Sequence, residues 1–354
     1  MSKSKSSQPV ISFEVLSVGQ WLMLSGLFFL VVIAAWQSVL PLLAERRYRD
    51  GFNAGVLKQN QESVSQLELS IQYAPWETQY MTDLSKAYET LAQDQTTFDQ
   101  RVFYMNKALQ IAERAEFLDP LNPWFKNRIG LVYEQFAQLD PVKKDHYLML
   151  AEKYQRLSAQ VDSHNPLFQL NLGYFLHQHG KPEEAILYYR KTIQMDNGLA
   201  PAHFNLADIY LQRKQYDLAL KEYLSVDEKN PAYGEILFGV INVYLMQKDF
   251  VKARQYLEQA YTRYPDRLPI LQNLLAIYQQ QHVLAPSIPV YETLFRRFPR
   301  EMQIYHAPYI QTLFQLKDYD RALRSLSLYL TMFPNDSRAQ AQQKGLQSLA
   351  RSKS

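Results

Sequence analysis

The chain of 354 residues carries 38 Lys and Arg against 35 Asp and Glu, a formal net charge of +3, too small a surplus to create the positive field that nucleic-acid binding uses. Apolar residues at 47% and charged residues at 21% describe a folded chain, and a mean hydropathy of −0.33 excludes a many-spanning membrane protein but not a single span. Cysteine is absent, removing disulfides, thiolate nucleophiles and cysteine metal sites, and none of the 11 glycines is closer than four residues to the next, so no GxGxxG fingerprint exists.

Residues 1–14 read as a polar tail. From Val15 to Ala44 no residue is charged, and Trp21–Trp36 runs WLMLSGLFFLVVIAAW. At ~1.5 Å per residue such a helix reaches ~45 Å, more than the ~30 Å hydrocarbon core of a bilayer. Trp21 and Trp36 bracket its densest part, where indoles favour the headgroup level, and Glu45, Arg46, Arg47 and Arg49 end it. A cleaved signal peptide starting at Lys3 and Lys5 is the competing reading. It suits neither the length of the stretch nor Ala34-Ala35 followed at once by Trp36. The expectation is one transmembrane helix over 15–44. The cations after the span outnumber Lys3 and Lys5 before it, which leans the C-terminal body toward the cytoplasm. The lack of cysteine leans the other way.

The remainder repeats itself with a period of 34. Pro231, Pro265 and Pro299 are each 34 apart, and Pro334 follows after 35. Tyr210, Tyr244 and Tyr278 recur in register, as do Ala185, Ala219 and Ala253, and then Tyr189, Tyr223, Leu257 and Tyr291. One helical hairpin of this kind cannot bury its apolar face, whereas a stack buries a continuous core. The alanine lets two helices approach, and the proline stops the second helix. This pattern resembles the tetratricopeptide repeat. The resemblance implies an all-α, right-handed superhelical solenoid: divergent repeats over 45–164, regular ones over 165–336 and a polar capping helix at 337–350. Gln93–Thr97 and Gln138–Lys144 read as lengthened turns inside the divergent copies.

Catalytic motifs are missing. Gly180-Lys181 is followed by Pro182 and so makes no phosphate loop, Gly51–Gly55 encloses Asn53 instead of a serine, and no histidine begins HExxH. Glu183-Glu184 opens a helix, where carboxylates suit the positive helix end. No catalytic residue, cofactor or metal is expected.

In tetratricopeptide proteins the first helices line a concave face where peptides commonly lie. Carried onto this sequence, position six gives Asn171, Asn205, Gly239 and Asn273, an asparagine ladder with one rung missing. An asparagine amide both donates and accepts, as an extended peptide backbone requires. Leu170, Phe204 and Phe238 form an apolar strip beside it, with Tyr174, Asp208 and Asn242 one turn further on. A carboxylate clamp for chaperone tails needs a lysine where Phe238 stands, so it does not match. The expected groove is Asn171, Tyr174, Phe204, Asn205, Asp208, Phe238, Asn242 and Asn273.

Ala44–Gly51, Ala74–Tyr80 and Leu118–Gly130 are similar to the repeat-bearing C-terminal region of bacterial O-antigen ligase and polymerase-type membrane proteins. The many-spanning catalytic region of that family is absent, so transferase activity does not carry over. The combined expectation is a single-pass protein of a bacterial inner membrane, a scaffold recruiting protein or peptide partners of a membrane complex in envelope-polysaccharide or secretion assembly. A chaperone-like holder of clients and an enzyme with an unrecognised site are the alternatives.

Overall fold

The computed structural model describes residues 18–351. The expected tail at 1–14, and the first residues of the expected span, Val15 to Ser17, lie outside the described residues. Within them the chain is helical throughout, without a strand: α1 (Val18–Val56), α2 (Asn60–Tyr73), α3 (Thr78–Gln93), α4 (Phe98–Leu118), α5 (Pro123–Leu139), α6 (Lys144–Val161), α7 (Pro166–Gln178), α8 (Pro182–Met195) and α9 (Ala200–Gln212). They continue as α10 (Tyr216–Leu224), α11 (Tyr233–Met246), α12 (Phe250–Arg263), α13 (Leu268–Gln280), α14 (Ser287–Arg297), α15 (Met302–Gln315), α16 (Tyr319–Met332) and α17 (Ser337–Arg351). Two compact units divide the chain within α7, after Phe175.

The first unit begins with a helix that outlasts its apolar segment. Trp21, Phe28 and Trp36 are exposed, but from Ala44 onward α1 buries a face that includes Gly51 and Ala54 against Ser63 and Leu67 of α2. The break expected at Glu45–Arg49 is therefore one of composition and not of the backbone, and even Pro41 lies inside the helix. Glu and Arg are good helix formers, and Arg49 Nε donates to Glu45 Oε1 four residues back at 2.7 Å. Behind α1, Met81, Leu84 and Tyr88 of α3 pack on Leu67 and Ile71 of α2, Ala108 and Ala115 of α4, and Phe125 of α5. A second cluster joins Ala92 and Met105 to Val132 and Phe136.

The extra length of these copies has two sources. Residues 94–97 form one connection, and a 3-10 turn, Pro141–Lys143, fills the other under the Asp140 carboxylate, which accepts from Val142 N at 3.1 Å. The helices are longer as well: α4 has 21 residues and α6 has 18, where α11 and α12 have 14 each. A buried ion pair crosses between first helices, with Arg128 of α5 against Glu89 of α3 and Gln135 donating to the same carboxylate. Burial lowers the Arg128 guanidinium to about 10.

The second unit is more regular. Ala185, Ala219, Ala253 and Ala322, one in each second helix except that of α14, are fully buried, as close helix approach demands. Two residues past the end of each first helix stands a residue in the left-handed region: Gly180, Lys214, Lys248, His282 and Lys317. The next amide reaches back five residues to close the turn, as Gln215 N to Tyr210 O at 2.8 Å and Asp249 N to Tyr244 O at 2.9 Å. That bond satisfies a carbonyl otherwise orphaned at the helix end. The stack ends with α17, which buries Ala339 and Leu346 and joins α16 through Gln343 Nε2 to Ser327 Oγ, 2.9 Å.

Candidate functional site

Five of the eight expected groove residues come together in the second unit. Phe204 and Asp208 of α9, Phe238 and Asn242 of α11, and Asn273 of α13 line a depression of about 490 Å³. They are neighbours because 204 and 238, like 208 and 242, differ by one repeat, while i and i+4 share a face of one helix. The depression also takes in Leu211, Leu245 and Glu235. Leu211 and Leu245 are again one repeat apart, three residues beyond Asp208 and Asn242. The same 34-residue periodicity could have found them.

The chemistry of the depression is mixed. Phe204 and Phe238 are half-buried, and Asn242 and Asn273 are exposed. Neither amide has a side-chain hydrogen-bond partner among the described residues, so both remain open to a ligand backbone. The Asp208 carboxylate accepts from Gln212 Nε2 at 2.7 Å and lies 4.0 Å from His177 Nε2. The Arg267 guanidinium sits over the Phe238 ring at 5.6 Å. Below lies Tyr223, buried and edge-on to Phe204 at 5.8 Å. Its hydroxyl is pushed up to about 12, first by burial and then by Asp208.

At the missing rung the Tyr223 ring stands against the backbone, although Tyr189 and Asn205 coexist at the same two positions one repeat earlier. A Cβ at Gly239 would meet Tyr223 Cζ at 2.5 Å and Cε1 at 2.6 Å, so the ring occupies the space that an asparagine side chain needs. One repeat later Leu257 replaces the tyrosine and Asn273 replaces the glycine.

The other expected residues are placed differently. Asn205 is half-buried and is not among the residues lining the depression. Asn171 and Tyr174 belong to the first unit, where Asn171 Nδ2 donates to Asn127 Oδ1 at 3.2 Å and Tyr174 is exposed. Asn127 was not singled out in the sequence, because it falls one position off the register of Asn171. No group of three or more His, Asp or Glu that could hold a metal occurs among the described residues.

Helix hairpins recurring every 34 residues, with a small residue buried in most second helices, define a helical-repeat protein. Tetratricopeptide-repeat models match residues 151–200, 176–237 and 236–267; the chain carries tetratricopeptide repeats. It is 27% identical over 123 residues to the probable UDP-N-acetylglucosamine–peptide N-acetylglucosaminyltransferase SPINDLY of Hordeum vulgare. That match takes in 33% of this chain and only 12% of the barley protein. Among solved structures, the C-terminal part of a repeat protein from Cytophaga hutchinsonii superposes with a TM-score of 0.52 at 15% identity, over 74% of this chain and 98% of that one. Pseudomonas aeruginosa pilF gives 0.47 at 16% identity, over 69% and 98%. At such identities the structural likeness speaks for the fold alone.

Proposed function

We propose that the chain is a non-catalytic adaptor, held in a bacterial inner membrane by the apolar part of α1, whose second unit binds an extended peptide segment of a protein partner. The observation that carries this reading is the pair of open amides, Asn242 and Asn273, beside the Phe204 and Phe238 rings in one depression. The amides suit any peptide backbone, the rings an apolar side chain, and the carboxylates of Asp208 and Glu235 a basic residue next to it. Confinement to the bilayer raises the partner's effective concentration near other membrane components. The similarity at 44–51, 74–80 and 118–130 supports envelope-polysaccharide or secretion assembly as the setting.

A peptide display library presented to the full chain tests the groove. Extended apolar-basic sequences should be enriched. Phe238→Ala should weaken the selected peptides by roughly 30-fold, as loss of a buried aromatic contact of about 2 kcal/mol does. Asn273→Ala should weaken them by roughly fivefold, the effect of one hydrogen bond. Enrichment that is identical on both variants refutes the groove. The anchor is tested separately by expressing the chain in bacteria. With no native cysteine, Val142→Cys is a unique, highly exposed label. It should resist a membrane-impermeant maleimide in intact cells and react after permeabilisation. Reaction in intact cells places the body on the other face, and recovery in the soluble fraction removes the anchor.

A further inference from the structure

The chain has four tryptophans. Trp21 and Trp36 lie in the apolar stretch of α1; Trp76 and Trp124 lie at connections between repeats of the first unit. Their position relative to α1 is fixed by contacts. On the first turn of α3, Tyr80 donates its hydroxyl to Glu45 at 2.9 Å and stacks on Tyr48 at 4.5 Å. The connection containing Trp76 therefore stands beside the point where the apolar stretch of α1 ends. Arg114 of α4 donates to the Pro75 carbonyl at 3.4 Å, which brings the end of α4, and the connection that follows it, to the same edge.

That edge carries exposed aromatic and aliphatic side chains, two of them indoles. Trp76 is 60% exposed, Phe117 84%, Leu121 79% and Trp124 49%. Single exposed apolar residues are ordinary, but large ones concentrated on one edge mark an interaction surface. Along this side of the repeats the exposed tryptophans fall at the two connections nearest the exit of α1. The next one, at 162–165, reads Asp-Ser-His-Asn, and a corresponding one in the second unit, 227–230, reads Asp-Glu-Lys-Asn. The opposite edge of the first unit exposes Val56, Leu57, Phe98 and Val142 and no tryptophan. Val56 lies 12 residues past Ala44, ~18 Å along the helix.

We propose that this edge of the first unit seats in the headgroup region of the bilayer that α1 enters, with Trp76 and Trp124 at the interface and Phe117 and Leu121 dipping toward the acyl chains. The inference rests on α1 being a membrane span. Indoles prefer the interface, and apolar wedges add affinity by leaving water. Nearby charges are of both signs: Glu77, Arg114 and Asp119 flank the edge, and Lys126 pairs with Glu116 at 3.1 Å. Apolar burial drives the seating, so it requires no anionic lipid.

The four tryptophans supply the test. Full-length variants, each keeping one tryptophan with the other three replaced by Phe, are reconstituted in phosphatidylcholine vesicles containing lipids brominated at shallow or deep acyl positions. Quenching in the Trp21 and Trp36 variants reports the span. In the Trp76 and Trp124 variants shallow bromines should quench about twofold and deep ones less, the signature of an interfacial indole. Joint replacement Phe117→Ser and Leu121→Ser should remove that quenching, and Val142→Ser on the other edge should leave it intact. Quenching of Trp21 and Trp36 alone overturns the seating while keeping the span; no quenching anywhere overturns the span as well. Protection of Trp76 from aqueous iodide without bromolipid quenching also overturns it, since a protein surface would then be the cover. Photoactivatable lipids need no substitution: on the unaltered chain they should label 74–77 and 117–124, and labelling confined to α1 refutes the proposal.

Discussion

The contact between Gly239 and Tyr223 gives a prediction with a sign change. Ala in place of Gly within a helix is normally favourable by about 1 kcal/mol. At position 239 the added methyl would stand 2.5–2.9 Å from three atoms of the Tyr223 ring, against an ordinary carbon–carbon approach of about 3.5–4 Å. The ring must therefore move by ~1 Å, and it is buried against Phe204. Overpacking of that order costs about 1–3 kcal/mol. Gly239→Ala should consequently destabilise the chain by about 1 kcal/mol net. In a Tyr223→Leu background, which copies Leu257 of the next repeat, the obstruction is gone and the same substitution should stabilise by up to ~1 kcal/mol. The coupling between the two sites is then about 2 kcal/mol, well outside the additivity expected of independent positions. Urea unfolding followed by far-UV circular dichroism measures the cycle. Hydrogen exchange over α10 and α11 shows whether the change is local, as repeat stacks open in parts. Stabilisation by Gly239→Ala alone, or an effect of one sign whatever stands at 223, would refute the packing argument.

Three further outcomes follow from the buried polar groups and the turns. Arg128→Met leaves the Glu89 carboxylate buried without its cation and should cost about 3–5 kcal/mol, while Glu89→Gln added to it should recover most of that; thermal melts that show no recovery refute the pairing. His306 is buried, stacked on Tyr329 at 4.1 Å with its Nε2 3.2 Å from Ser325 Oγ, and burial lowers it to about 4. Its unfolded value is about 6.5, so between these limits the unfolded chain binds more protons and stability falls as pH falls; at pH 5 the loss relative to pH 7.5 is about 2 kcal/mol. His306→Phe should flatten that part of the pH profile, and an unchanged slope counts against the assignment. Gly180, at φ 77 with open space around its Cα, should lose about 1 kcal/mol on replacement by Ala, whereas Lys248→Gly at φ 59 should be neutral or stabilising; a stabilising Gly180→Ala or a destabilising Lys248→Gly in thermal melts would contradict the left-handed turn.

The all-α repeat architecture was legible because each repeat restates one packing solution: a small residue where helices touch and a proline where the chain turns. Ala185, Ala219 and Ala253 are buried for that reason. Where local chemistry and tertiary context compete, the sequence was less direct. Glu45–Arg49 marks the end of an apolar segment, yet these residues favour helix, and packing on α2 carries α1 through them. Lysine is not a left-handed residue by preference, so Lys214, Lys248 and Lys317 did not announce the turns they close; a hydrogen bond back to the preceding helix holds them there. Phe204, Asp208, Phe238, Asn242 and Asn273 could be gathered from register alone. Asn205 could not be assigned so, because its environment depends on side chains from neighbouring helices and not on its own position in the period.

The two units use one repeat for different purposes, and the difference lies in where each leaves apolar surface uncovered. In the second unit the uncovered rings, Phe204 and Phe238, are on first helices beside open amides, an arrangement suited to a chain that brings its own backbone groups. In the first unit Trp76, Phe117 and Trp124 are exposed at or beside connections. At the headgroup level we propose for them, water and headgroups supply partners for the backbone of those connections while the indoles keep their interfacial preference. The join between α1 and the repeats fits that division. Tyr80 to Glu45, Tyr48 to Asp83 at 2.8 Å and Arg47 to Gln66 at 3.0 Å fasten the segment just after the proposed span to α2 and α3, with no intervening flexible linker. With α1 as the span we propose, a tether of that kind sets the orientation of the first repeats to the membrane as well as their distance from it.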